Sequence, residues 1–199
     1  MRKWILFSGL ALVMVLGACT ETDDNDDMEE TQNNSSDPGI ETAGSVSDDT
    51  EEVEVTLYNG DKEAVGSAMI RPVYRGVKVT LEASDLPPGT HGFHIHENGV
   101  CEAPDFKSAG GHFNPTDAKH GFEHPEGPHA GDLANIRVDE DGNVFADAAA
   151  EMVTLDKGEN HSLLKEGGTS LMIHSGADDY QSQPSGDAGE RIACGVISE

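Results

Sequence analysis

Positive charge is what this sequence has least of. Twelve Lys and Arg face 38 Asp and Glu, for a formal net charge of −26. That balance excludes nucleic acid as a partner, and it excludes attachment to an anionic membrane by charge alone. Long apolar runs are missing too. The longest, Ile5 to Leu16, is too short for a comfortable membrane span and has no stop-transfer flank. No internal repeat and no convincing helical period appear. Cysteine occurs three times, at Cys19, Cys101 and Cys194, an odd number that needs two explanations.

The first explanation is at the N-terminus. Arg2 and Lys3 precede the apolar run, and Leu16-Gly17-Ala18-Cys19 resembles a bacterial lipobox. That resemblance implies a signal peptide over residues 1–18, lipid on Cys19, and a mature protein outside the cytoplasm, where disulfides persist. A plain secretory signal is the competing reading. Residues 19–52 then form a tether. From Thr20 on it holds thirteen Asp or Glu and no Lys or Arg, with too few large apolar residues to bury a core. A flexible chain of that length reaches roughly 30 Å.

From Val53 the pattern becomes period two, as in half-buried strands. Val53, Val55 and Leu57 alternate with Glu54, Thr56 and Tyr58, and Asn59-Gly60-Asp61 reads as a hairpin turn. Further strands are predicted at 64–71, 75–83, 90–96, 133–138, 144–150, 169–174 and 191–197. About eight short strands without a helix imply an antiparallel β-sandwich or flattened barrel over residues 53–199.

Between Gly110 and Asp132 the chain reads GGHFNPTDAKHGFEHPEGPHAGD, with too many Gly and Pro for a helix or a long strand. Long ordered loops are usually functional, and imidazoles with a carboxylate suit zinc and copper. On the strand at 90–96, alternation sends Phe93 and Ile95 inward, and His94 and His96 outward side by side. His91 has the opposite parity and a structural role is expected for it. His112, His120, His129 and Asp132 follow in the loop, and His174 ends a later strand. His124 and His161 read as surface residues.

The motifs HGFHIH, GGHFNP, HAGDLANI, MIHSGADD and GDAGERIACGVI, in this order, closely resemble bacterial copper/zinc superoxide dismutases of the lipoprotein type, from Val53 to the C-terminus. The resemblance implies an eight-stranded antiparallel Greek-key β-sandwich or barrel, immunoglobulin-like, with two long functional loops. It assigns copper to His94, His96, His112 and His174, and zinc to His112, His120, His129 and Asp132. It implies dismutation of superoxide to dioxygen and hydrogen peroxide by a redox-cycling copper bridged through His112 to a structural zinc. Asp178 matches a carboxylate linking a copper ligand to a zinc ligand, and Arg191 matches the arginine at the mouth of the copper site. Cys101 and Cys194 match the family's disulfide.

Superoxide is an anion, yet the stretch 175–190 has Asp178, Asp179, Asp187 and Glu190 but no Lys or Arg. Only Arg191 and the metal are positioned to attract substrate, with Lys107 or Lys119 as candidate helpers. Modest steering is therefore expected, with salt raising the rate by screening. Two rival readings remain: a zinc- and copper-binding surface protein without significant turnover, and a structural module whose histidines only brace the loop. A homodimer is left open, because no strand face is apolar enough to announce an interface.

Overall fold

The computed structural model describes residues 52–199. The expected signal at 1–18, the lipidated Cys19 and all but the last residue of the tether lie outside those residues. The rest is built from strands, with one 3-10 turn at Lys107–Ala109.

Nine strands are present: β1 (Val53–Asn59), β2 (Ala64–Pro72), β3 (Val77–Ala83), β4 (Gly89–His91), β5 (Phe93–His96), β6 (Ile136–Val138), β7 (Val144–Ala150), β8 (Thr169–His174) and β9 (Arg191–Ile197). Seven form one antiparallel sheet in the order β5-β8-β9-β1-β2-β3-β7, and β4 pairs with β6. The run β9-β1-β2-β3 is a Greek-key order, with the last strand returning beside the first. Inward side chains such as Leu57, Ile70, Leu81, Phe93, Ile95 and Leu171 are fully buried, as the alternation requires.

Three departures from the expected strands have local causes. The segment 90–96 is two strands, because Gly92 breaks it. Its N–H donates to the Gly176 carbonyl and its own carbonyl accepts from His174. A Cβ there would lie 2.9 Å from that of Ala188. The strand expected at 75–83 begins at Val77, since Val73 N–H closes a turn on the Gly76 carbonyl. The strand expected at 133–138 shrinks to Ile136–Val138. Its first half is taken by a loop, with the Asn135 N–H donating to the Tyr180 hydroxyl at 2.8 Å.

Two long loops cover the outer side of β5 and β8. Residues 97–135 are held at the outer edge of β5, where His96 bridges to His112 and His94 to Asp132. Residues 175–190 close over them. This arrangement buries His94 and His96, which project from the sheet wall as alternation predicts but are less than 2% exposed.

Candidate metal centre

The imidazoles of the expected set come from two neighbouring strands and one long loop of this scaffold. His94 and His96 lie on one face of β5, and His174 ends the neighbouring β8. His112 and Asp132 arrive through the two bridges to β5, and His120 and His129 come from the loop between them. Four side chains, His94, His96, His112 and His174, bring ligand atoms within 4.8 Å of one another, and so do His112, His120, His129 and Asp132. All are buried. His112 belongs to both groups.

Hydrogen bonds fix which ring nitrogen faces inward. His96 Nδ1 donates to the Gly110 carbonyl at 3.0 Å and His174 Nδ1 to the Gly189 carbonyl at 3.3 Å. This leaves their Nε2 atoms facing each other at 3.4 Å. His94 Nε2 donates to Asp178 Oδ2 at 2.8 Å, which turns Nδ1 inward. His112 Nδ1 lies 2.8 Å from Asp132 Oδ1, so its Nε2 faces the other three rings.

A test of whether metal fits comes from atoms left over. Among the described residues, five buried side-chain atoms have no hydrogen-bond partner. Four are imidazole nitrogens of this cluster: His94 Nδ1, His112 Nε2, His120 Nδ1 and His129 Nδ1. Each such orphan costs about 1–3 kcal/mol. His120 Nδ1 and His129 Nδ1 come within 3.1 and 3.2 Å of Asp132 without the geometry of a hydrogen bond, as lone pairs do when aimed at a common centre. The residues fit metal at both groups. Four nitrogens suit copper, and three imidazoles with a carboxylate suit a closed zinc site.

Asp178 ties the two groups together. Its Oδ2 accepts from His94 and its Oδ1 from His120 Nε2 at 3.0 Å. Burial would raise its pKa, but the bonds from His120 and His94 hold it well below the usual carboxylate range. The same contest at Asp132 is won by His112, His120, His129 and the Gly121 N–H. Burial lowers His96 to about 2, aided by His112. It lowers His174 to about 3, aided by His94. His112 falls to about 4, its burial only partly offset by Asp132. His120 goes the other way. Burial opposes its charge, yet Asp132 and Asp178 together push it up to about 9.

A cavity of about 500 Å³ opens on this centre, with His96, His112, His174 and Arg191 among its lining residues. Arg191 is held flat by two carbonyls, Phe106 O through Nη1 and Gly110 O through Nη2, both at 2.6 Å. The disulfide joins Cys101 to Cys194 with Cα atoms 5.7 Å apart, three residues from Arg191. His91 is structural as expected, its ring nitrogens on the carbonyls of His174 and Pro87. His161 is exposed, and His124 is half-buried in a local turn.

The two candidate helper cations stand outside the lining of this cavity, Lys107 beside Arg191 in a neighbouring one. Lys107 pairs with Asp105 at 2.6 Å, while Glu97 and Asp117 do belong to the lining of the first cavity. The sequence reading also missed Gln183. Its amide accepts from His120 N–H and donates to the His120 carbonyl, both at 2.9 Å. No short-range pattern announces a glutamine 63 residues away.

Comparison with known proteins agrees with this geometry. The profile of the copper/zinc superoxide dismutase family matches residues 64–197. A copper/zinc superoxide dismutase of Aquifex aeolicus is 55% identical over 142 residues, covering 71% of this chain and 84% of the relative. The crystal structure of a superoxide dismutase-like protein from Bacillus subtilis superposes with a TM-score of 0.70 at 44% identity, covering 72% of this chain and 97% of that one. The copper/zinc enzyme of Brucella abortus gives 0.61 at 33%, covering 74% and 99%. Set beside a double cluster built for two metals, this degree of likeness means that the chain belongs to the copper/zinc superoxide dismutase family.

Proposed function

We propose that this superoxide dismutase holds copper through His94, His96, His112 and His174, and zinc through His112, His120, His129 and Asp132. The observation that carries the assignment is His112, whose ring lies between the two groups with Nδ1 on the Asp132 side and Nε2 on the other. Copper supplies the one-electron couple that oxidises one superoxide to dioxygen and reduces a second to hydrogen peroxide. The side chains do the rest. Arg191 presents a fixed guanidinium to the incoming anion. His112 Nε2 holds and releases one of the two protons that peroxide needs, while Nδ1 keeps the ring anchored on the zinc side. Asp178 fixes the ring orientation of His94 and His120.

Metal analysis with a dismutation assay on copper- and zinc-loaded protein tests this. One copper and one zinc per chain are expected. His94→Ala should abolish dismutation while zinc and the fold persist. If His94→Ala kept full turnover, the copper assignment would fall.

The enzyme works outside the cytoplasmic membrane, anchored by lipid on Cys19. Support comes from the leader of residues 1–18, the lipobox-like Leu16–Cys19, and a disulfide of the kind that exported proteins keep. Cys19→Ser should release the protein from the membrane fraction. Unchanged membrane association in that variant would rule out the anchor.

A further inference from the structure

Cations are scarce in this domain, yet three of the ten Lys and Arg that follow residue 52 lie in eight residues, Arg71-Pro-Val-Tyr-Arg-Gly-Val-Lys78. These residues form the turn between β2 and β3 and its roots. Tyr74 at the tip is 102% exposed and Val73 is 46% exposed. The turn packs on the end of β7, where Val77 pairs with Ala150, and Met152, two residues further on, is 43% exposed. A Cβ on Gly76 would lie 2.6 Å from the Glu151 Cα. The charges around the tip cancel. Arg71 pairs with Glu52 at 2.9 Å, Lys78 with Asp147 at 3.4 Å and Arg75 with Glu151 at 3.8 Å.

We propose that this tip, Val73, Tyr74 and Met152 within a ring of Arg71, Arg75 and Lys78, docks the domain onto the phospholipid bilayer. The inference rests on the reading that Cys19 is lipidated. Glu52, the first described residue, is ion-paired to the root of the turn, so the preceding chain joins the domain at this pole. A tether of about 30 Å keeps a bilayer within reach, and weak contacts then suffice because the encounter is intramolecular. A tyrosine ring with apolar neighbours suits the headgroup boundary, and arginine and lysine stems beside it can lift their charges to phosphates. A chain of net charge −26 is repelled by anionic lipid over most of its surface, but not where six charges sum to zero. Three apolar side chains are far too little for a stable dimer, which buries roughly 1,200 Å² or more.

Docking by this pole also leaves the active site clear. Val53 of β1 pairs with Ile70 near the tip, whereas Asn59 at its other end pairs with Ala193. Arg191 lies two residues further along, opposite His174.

The test uses the mature lipidated chain in vesicles of phosphatidylethanolamine and phosphatidylglycerol, carrying Tyr74→Trp. The sequence has one natural tryptophan, Trp4, inside the leader, so the new indole is the sole reporter. Its emission should shift to the blue and be quenched when the phospholipids are brominated. Phe145→Trp, 72% exposed at the opposite end of β7, should stay solvent-like. Both variants should retain dismutation, since neither position lines the metal cavity. Flotation with the vesicles but unquenched, solvent-like emission from Tyr74→Trp would overturn the docking and leave the anchor standing. Failure to float would overturn the anchor, and the docking with it. A blue shift without lipid, together with a dimer mass, would assign the tip to a second copy and overturn the proposal.

Discussion

A buried carboxylate that accepts from two imidazoles is worth most when those imidazoles must hold metals. Asp178 is such a group, with His94 Nε2 on one oxygen and His120 Nε2 on the other. Asp178→Ala removes both bonds without touching a ligand. Zinc affinity should fall about 10–100-fold, read by competition with a chromophoric chelator, and wild-type affinity would show the bridge to be idle. The same cluster sets how metal-free protein responds to pH. An imidazole in the unfolded chain titrates near 6.5. The depressed folded values of His96, His112 and His174, about 2, 4 and 3, mean that below that pH the unfolded chain binds protons the folded one refuses. Stability then drops as pH falls, by up to about 1.4 kcal/mol per pH unit for each group. His120, raised to about 9, acts oppositely and costs stability as pH climbs from 6.5 to 9. Thermal melts of stripped protein should therefore peak near pH 6.5, and a maximum below 5 would refute the assignment. At this scale the residues that converge into the two clusters were legible from motifs, because imidazole spacing is chemistry written locally. The Gln183 grip on the His120 peptide was not, since only the folded loops bring it there.

Among the secondary elements, the strands were legible from the sequence pattern, and two of the three errors fell where the backbone serves the metal loops. Gly92 spends its hydrogen bonds on Gly176 and His174, and Asn135 gives its N–H to Tyr180. Neither partner is visible to a pattern of neighbours. The disulfide shows what binding a loop to a strand achieves. Cys101 and Cys194 are 93 residues apart, and closing such a loop contributes about 4–5 kcal/mol on the chain-entropy model. Cys101→Ser with Cys194→Ser should lower the melting temperature. It should also lower kcat/KM, because the carbonyls of Phe106 and Gly110 that hold Arg191 belong to the pinned loop. Metal content should be retained. A variant that melts earlier but keeps full kcat/KM would show that the Arg191 seat is independent of the bond. Gly110 tests the same seat from within. It has φ +75°, and a Cβ there would lie 2.4 Å from Glu97 Oε1. Gly110→Ala should therefore displace the carbonyl that orients both His96 and Arg191, and reduce kcat/KM with the disulfide intact.

Over the whole molecule, the decisive quantity is the sign of the field that superoxide meets. Net charge is −26, and the cavity wall adds Glu97 and Asp117 to that field, with Arg191 as its one cationic lining residue. Lys107 is already matched to Asp105. Repulsion between a distant acidic surface and an anion is screened with a Debye length of about 10 Å at 0.1 M salt, whereas attraction to a close, partly buried guanidinium is screened much less. Added salt should therefore raise kcat/KM, opposite to an enzyme whose entrance is lined with cations. Glu97→Gln isolates the local part. It keeps an oxygen to accept the Gly111 N–H, which Glu97 Oε1 now accepts at 3.0 Å, and removes only the charge. The variant should be about threefold faster at low salt, on the scale of one charge at close range in a high dielectric, and its gain should shrink as salt rises. Stopped-flow decay of superoxide across ionic strengths reads both effects. A wild-type rate that falls steeply with salt would mean that Arg191 and the metal outweigh the acidic body, and that the field at the mouth is attractive.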